Sequence, residues 1–179
     1  MKNILNFLLA ALLVAGCKKM PGSVGQRDLE ATGLSGCPGG ECNFLYSEWG
    51  DVDTLKSEVT SGRFRIFRLA YSEEGIPVEI IIKAPMEGIA FSLSNLQLAS
   101  GWGIWQATCP ECRLRPLRIS GGSVRGNRIA RDNMAGPEKW VLELKLDISQ
   151  KNGGYKRPVH IKQVFYPDFI RPEKTAGGT

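Results

Sequence analysis

Two closely spaced cysteine pairs carry the most reactive side chains of this chain. Cys37 and Cys42 lie in "CPGGEC", and Cys109 and Cys112 lie in "CPEC". Two such pairs could supply the four sulfur ligands of a tetrahedral zinc site, and a Cys-x-x-Cys pair is also what thiol–disulfide exchangers use. In an oxidising compartment the same cysteines would form structural disulfides. The choice among these chemistries therefore depends on where the protein resides.

The N-terminal residues indicate export to a membrane surface. A basic start, "MKN", precedes "ILNFLLAALLVAG", an apolar run too short for an ordinary spanning helix and typical of a signal peptide. The residues "VAGC" at 14–17 resemble the lipobox of bacterial lipoproteins. The resemblance implies cleavage before Cys17 and a membrane anchor of acyl chains on that residue. Because Lys18 and not Asp follows, it further implies a lipid-anchored protein of the bacterial cell envelope, at the outer membrane.

Export favours disulfides for the four cysteines that follow Cys17, because their number is even and the periplasm is oxidising. Short spacing favours local pairs, and cross-pairing between the two motifs stays open. "CPEC" also resembles the knuckle of zinc ribbons, so zinc held by Cys37, Cys42, Cys109 and Cys112 is an alternative. Thiol exchange through Cys109 and Cys112 is another, although the residues that follow, "RLRPLRIS", indicate a strand and not the helix that such chemistry favours.

The composition gives no positive support for an enzyme. His160 is the one histidine, so a three-histidine zinc site cannot form, and a hydrolytic triad would need that single residue. The serine in "GGSVRG" lacks the following glycine that a nucleophile elbow requires. An excess of 23 basic over 18 acidic residues is too mild to indicate a nucleic-acid partner. We expect a non-catalytic protein without a cofactor.

Six arginines between positions 113 and 131, with no acidic residue among them, are candidates for binding. Grouped on neighbouring strands, they could form a basic patch for an envelope protein, a phosphorylated lipid or an anionic glycan. The alternative is a solvated sheet face whose carboxylates come from other strands. The six are Arg113, Arg115, Arg118, Arg125, Arg128 and Arg131.

Two tryptophans, Trp102 and Trp105 in "GWGIWQ", are candidates for stacking on a sugar. Their odd spacing would place them on opposite faces of a regular strand. Core packing therefore accounts for at least one of them, and a glycan-binding module is a further alternative.

The segment "KWVLELKLDIS" shows the element that must position these residues. Five apolar residues alternate with residues that are largely charged, which predicts a half-buried antiparallel strand. Further strands are predicted at 63–71, with a bulge, and at 76–83, 88–98, 101–109, 112–120 and 159–166. Residues 51–62 are the one helix candidate. The pattern predicts an all-β fold: an antiparallel β-sandwich of about seven or eight strands, immunoglobulin-like in general architecture.

The predicted organisation has four parts. Residues 1–16 are the signal peptide, 17–42 a disordered, flexible tether that contains the first cysteine pair, 43–168 the β-sandwich domain and 169–179 a disordered tail. We expect an envelope lipoprotein with a non-catalytic binding or scaffolding role. Its partners would be the membrane, through the acyl chains on Cys17, and an envelope protein or an anionic glycan.

Overall fold

A computed structural model describes residues 29–53, 58–109, 116–129, 137–150 and 154–168. The fold of this part of the chain is all-β, as predicted. None of its helices is long and apolar enough to cross a membrane. The strands are β1 (Cys42–Asp53), β2 (Glu58–Ser61), β3 (Phe64–Glu73), β4 (Ile76–Pro85), β5 (Ala90–Leu93), β6 (Gly103–Ala107), β7 (Leu117–Ile129), β8 (Lys139–Gln150) and β9 (Lys156–Pro167). A three-residue helix, α1 (Asn95–Gln97), and a π-helical turn (Leu98–Trp102) lie between β5 and β6.

The strands form one connected mixed sheet in the order β5-β7-β8-β9-β1-β3-β4-β6, and β2 pairs with the end of β1. Neighbours along this order are antiparallel except β1 and β9, which run parallel where Leu45 and Tyr46 meet Tyr166 and Pro167. The parallel pair joins β5, β7, β8 and β9 on one side to β1, β3, β4 and β6 on the other. The sheet therefore combines strands from both ends of the described chain.

The sheet curls round a single large core, the inner core. Phe67 on β3 contacts Phe91 on β5, Trp140 on β8 and Phe165 on β9, with ring centroids 5.5, 5.8 and 5.5 Å apart. One ring thus touches strands from distant positions in the sheet order. The predicted sandwich and its immunoglobulin-like architecture are not confirmed, because the strands belong to one curled sheet.

Strand β8 confirms the alternation that its sequence predicts. Five side chains are at most 2% exposed and face inward: Trp140, Leu142, Leu144, Leu146 and Ile148. The charged residues between them, Glu143, Lys145 and Asp147, face outward. Burial of a large apolar side chain contributes about 1.5–3 kcal/mol, so this stripe is a major source of the sheet's stability.

A second, smaller core, the outer core, lies on the outer face of the sheet. It explains why two predictions are wrong, the bulge at 63–71 and the helix at 51–62. Ile66 on β3 is buried there with Val52 and Ile81, while Phe67 faces the inner core. Strand β3 pairs with β4 without a break in register, so the change of phase at 63–71 reflects burial of both faces and not a bulge in β3. The irregularity lies in β1, between Ser47 and Gly50.

The predicted helix at 51–62 is also wrong. Its described residues form the end of β1 and all of β2, which pair antiparallel, and Val59 packs on the outer core. Residues 54–57 lie outside the described part of the chain. A strand is favoured here because it lets Val52 and Val59 cover the same apolar patch.

The structure changes two other predicted boundaries. The strand predicted to end at residue 120 continues as β7 to Ile129, with a shift of register between Ile119 and Gly121. Gly122 has a φ of 120° there, and a Cβ on it would lie 2.0 Å from the carbonyl oxygen of Lys145. The predicted strand at 88–98 is short, because Ser94 caps α1 and ends it.

Part of the predicted tether contacts the sheet. The Ser35 amide donates to the Lys162 carbonyl at 2.8 Å, and the Lys162 amide donates to the Ser35 hydroxyl at 2.9 Å. Residues near position 35 therefore lie along β9. The signal peptide, Cys17 and residues 169–179 fall outside the described residues.

Candidate functional site

The structure places three of the six predicted arginines, and two of those three are ion-paired. Arg125 donates through Nε and Nη2 to Oε2 of Glu143, with an Nε–Oε2 distance of 3.1 Å. Arg128 lies 3.4 Å from Glu138, measured from Nη1 to Oε2. Arg118 is exposed on β7. Glu143 on β8 and Glu138 just before β8 thus supply the carboxylates that pair with Arg125 and Arg128. Arg113, Arg115 and Arg131 lie outside the described residues.

The outer surface of the three longest C-terminal strands gathers further cations. We call this surface the polar β7–β9 face, and it carries five lysine or arginine side chains, one histidine and two carboxylates. Its members are Arg118, Arg125, Glu143, Lys145, Asp147, Lys156, His160 and Lys162. The face is therefore basic even after its internal ion pairs are counted.

Glu143 is the centre of this face. Its Oε1 lies 3.2 Å from Lys145 Nζ and 3.3 Å from His160 Nε2, while Arg125 holds Oε2. Hydrogen bonding by Arg125 lowers the pKa of Glu143 from 4.5 to about 2, against the opposing effect of burial, with help from Lys145 and His160. Glu143 is consequently ionised at neutral pH and organises three donors around one carboxylate.

A cavity of about 360 Å³ lies at one side of the polar β7–β9 face. Its lining is mainly apolar, with contributions from Leu146, Pro158 and Val159, and it also includes the polar residues Ser123, Lys145, Asp147 and His160. Lys145 and His160 both flank Glu143, and Asp147 lies 3.5 Å from Lys156 Nζ. Such a site can present donors to an anionic or strongly polar ligand.

One predicted cysteine pair forms a local disulfide. Cys37 and Cys42 are bonded, with Cα atoms 5.7 Å apart, and both pack against the inner core. Cys109 is also disulfide-bonded, and Cys112 lies outside the described residues. Within the described ranges, no group of three or more His, Cys, Asp or Glu side chains is placed to hold a metal ion.

The two tryptophans predicted to stack on sugars are both partly buried. Trp102 packs edge-on against Phe64, with ring centroids 5.4 Å apart, and both Trp102 and Trp105 contact the inner core. The indole nitrogen of Trp105 is buried and has no partner in the described structure. A different tryptophan, Trp49, is 67% exposed.

Sequence reasoning missed most of the polar β7–β9 face. It found the arginines because they are close together in the chain, but Lys145, Lys156 and Lys162 join them only through strand pairing. The alternation of β8 and β9 was the available signal, because it places alternate charged residues on one face. It could not show which strands are neighbours.

No protein-family model, curated protein or solved structure matches this chain. The class that the fold and the surface define is therefore an all-β protein with a curled mixed sheet and a basic outer face. Its function has to be argued from its own residues.

Proposed function

We propose that the protein is a lipid-anchored component of the bacterial envelope, at the outer membrane, that binds an anionic partner without catalysis. The observation that carries the proposal is the polar β7–β9 face, where five cationic side chains share one outer surface with His160 and only two carboxylates, beside a cavity of about 360 Å³. The partner would be an anionic glycan, with an acidic envelope protein as the alternative outcome.

The ion pairs of this face hold its donors in place for a ligand. Arg125 and Lys145 both contact Glu143, which limits the conformations of two long side chains. Their side chains are still 43% and 54% exposed, so an anionic ligand can reach them. Because these charges are exposed, salt would weaken the binding.

A charge-reversal experiment tests the role of this face. The double variant Lys145→Glu/Lys156→Glu changes two exposed, ion-paired lysines of this face. The double variant Arg63→Glu/Arg68→Glu is a control of equal net charge outside the face, since Arg63 lies just before β3 and Arg68 lies on β3. Binding to immobilised heparin, a model anionic glycan, should fall at least tenfold in the first variant at 50 mM salt and change little in the control. Equal losses in both would show a net-charge effect and would contradict a defined site.

Capture from envelope extracts would separate the two kinds of partner. If the mature chain binds an acidic envelope protein but not heparin or an envelope glycan, and Lys145→Glu/Lys156→Glu abolishes that capture, the partner is a protein. If neither binds, the proposal is wrong.

The lipid anchor rests on the sequence resemblance at "VAGC". Metabolic labelling with palmitate should label the wild-type protein and not Cys17→Ser, and the wild type should fractionate with the outer membrane. Labelling of both proteins would contradict acylation at Cys17.

Mass measurement of the mature chain before and after reduction distinguishes this proposal from thiol exchange or zinc binding through Cys109 and Cys112. Two structural disulfides predict a mass gain of four hydrogen atoms on reduction. Bound zinc with free thiols would instead support the metal alternative, and insulin reduction that is lost in Cys109→Ser would support thiol exchange.

A further inference from the structure

The bulge in β1 presents Trp49 to solvent in an unusual conformation. The register of β1 on β3 shifts between Ser47 and Gly50, and Trp49 within the shift has a φ of 58°. A bulky residue in this left-handed region is an outlier, and such conformations persist where the surroundings enforce them. The indole is 67% exposed, so burial of its own side chain does not explain the conformation.

A backbone hydrogen bond and the close packing of two glycines against neighbouring residues hold the bulge in place. The Gly62 amide donates to the Trp49 carbonyl at 2.8 Å. A Cβ on Gly50 would lie 2.6 Å from Cγ1 of Ile66, and a Cβ on Gly62 would lie 2.5 Å from Cβ of Asp51. The bulge is thus packed directly on the outer core, and Trp49 is carried on a rigid support.

A groove of about 410 Å³ lies between this bulge and β2. Its size falls within the usual range of small-molecule sites, about 300–1,000 Å³. Beside Trp49, hydroxyl and carboxylate side chains line it: Ser47, Glu48, Thr60 and Ser61. We call this region the Trp49 groove. It combines one exposed aromatic face with several polar groups.

The carboxylate of Glu48 is fixed by a buried arginine. Arg65, whose side chain is 5% exposed, donates from Nε and Nη2 to the same oxygen, Oε1, at 3.2 and 3.0 Å. The guanidinium also donates to the carbonyls of Pro85 and Met86 and lies 4.1 Å above the Trp140 ring. Arg65 therefore positions Glu48 from the interior.

Two acceptors at the groove have no partner in the part of the chain that the structure describes. No hydrogen bond is found there to Oε2 of Glu48, and the Ser47 hydroxyl is buried and unpaired. The cost of about 1–3 kcal/mol for a buried polar group without a partner applies to the Ser47 hydroxyl, whereas Glu48, whose side chain is 42% exposed, can accept a hydrogen bond from an occupant of the groove. These atoms lie at the same groove as the exposed indole.

We propose that the Trp49 groove binds a saccharide. The indole would cover the apolar C–H face of a pyranose ring, while Glu48 Oε2 accepts from a sugar hydroxyl and the hydroxyls of Thr60 and Ser61 complete the contacts. An apolar peptide side chain would leave these acceptors unpaired. A quaternary ammonium ion is recognised by a cage of several aromatic rings, and this groove has one.

The proposal is independent of the polar β7–β9 face, because the two regions share no residue. The Trp49 groove is built from β1 and β2 and would recognise neutral hydroxyls. The polar β7–β9 face would recognise negative charge. If one region does not bind its expected ligand, the proposal for the other region is therefore unaffected.

Calorimetric titration of the mature chain with cellotetraose, chitotetraose and maltotetraose tests the groove. We expect binding of at least one of these oligosaccharides and a loss of at least tenfold in affinity in Trp49→Asn. Asparagine tolerates a positive φ, so the bulge should be retained. Leu96→Asn, which changes an 80% exposed apolar residue elsewhere, should bind as the wild type does.

A second variant, Glu48→Gln, keeps the side-chain shape and weakens the acceptor. It should lower affinity without removing the indole contact, so its effect should be smaller than that of Trp49→Asn. Absence of binding to all three oligosaccharides, or equal binding by the wild type and Trp49→Asn, would overturn the proposal.

Two other uses of an exposed indole give different results and would also overturn it. If Trp49 inserts into a bilayer, vesicles of phosphatidylglycerol and phosphatidylethanolamine should shift the emission of the wild type to shorter wavelength but not that of Trp49→Asn. If Trp49 joins two copies of the chain, sedimentation should show a dimer that the substitution dissociates.

Discussion

On the polar β7–β9 face both carboxylates have cationic partners, and Glu48 at the Trp49 groove has one too, but the groove also holds a buried hydroxyl, Ser47 Oγ, with no partner in the described structure. The backbone differs in the same way. On the face β8 and β9 pair in unbroken register and the irregularity of β7 falls at two glycines, while the groove is built on a bulge with a tryptophan at positive φ. One surface is locally satisfied and the other is not.

This difference shows which surface features need a further explanation. A solvated sheet face can carry mutually compensating charges at little cost to stability, so ion pairs alone are weak evidence for a site. A strained backbone and an unpaired buried hydroxyl are unfavourable in the free protein. Their coincidence at one groove is therefore the more specific indication of binding, while the excess of cations is what distinguishes the polar β7–β9 face from an ordinary surface.

Removal of Arg65 should have the largest effect, because it joins the Trp49 groove to the inner core. Arg65→Met leaves Glu48 and two carbonyls unpaired and should lower the free energy of unfolding by about 3 kcal/mol. Arg68→Met is a matched control on the same strand, since Arg68 pairs with Glu79 but is 33% exposed. Urea unfolding at pH 7 would measure both, and equal losses would contradict the special position of Arg65.

Acid should weaken the polar β7–β9 face through Glu143. Its pKa falls from 4.5 to about 2 on folding, so its contribution to stability is present above pH 4.5 and is lost as the pH falls towards 2. Between pH 5 and pH 2 the wild type should lose about 1–2 kcal/mol more than Glu143→Gln, after allowance for the exposure of the partner cations.

Unfolding in urea across this pH range would test the contribution of Glu143. The difference should shrink in 1 M salt, because salt screens exposed partners. Parallel curves for the two proteins would show that the ion pairs contribute no pH-dependent stability.

Relief of strain at Trp49 should separate binding from stability. Trp49→Asn should raise the free energy of unfolding by up to about 1 kcal/mol, because asparagine adopts positive φ more readily and little packing is lost. Glu74→Asn is the matched control, since Glu74 has a φ of 50° in the turn between β3 and β4. Thermal unfolding should show a gain in both, and only Trp49→Asn should lose saccharide binding. A clear loss of stability in Trp49→Asn would show that the indole supports the fold.

The Arg128 pair should contribute least. Arg128→Ala removes a contact of 3.4 Å at an exposed strand end and should change stability by less than about 0.5 kcal/mol. A double-mutant cycle with Glu138→Ala measures the coupling. A coupling energy above about 1 kcal/mol would contradict this prediction and would show that the pair contributes to stability more than an exposed ion pair usually does.

Much of the strand content could be predicted from local patterns. The alternation of Trp140, Leu142 and Leu144 with polar residues identified β8 and its buried face, and short β-like runs identified β3, β4, β6 and β9. The helix predicted at 51–62 failed because Val52 and Val59 are buried by an outer core that local periodicity does not show. Strand order, the parallel β1–β9 contact and the curl of the sheet were likewise not predictable.

Neither candidate site could be fully predicted from the sequence, for the same physical reason. The arginines were predicted from their proximity in the chain, yet Glu143, the partner of Arg125, is 18 residues away from it. Trp49 had no recognisable signal, because its exposure follows from a register shift and from packing of Gly50 on Ile66. Both results depend on contacts between strands.

By itself, the sequence determined the all-β class, the buried stripe of β8 and the chemical groups available for binding, because side chains alternate with the local geometry of a strand. The tertiary structure decided which strands are neighbours, which faces are covered and which polar atoms keep no partner. Those outcomes depend on burial and pairing between distant segments, and the bulge that exposes Trp49 exists only because β2 and the outer core hold it there.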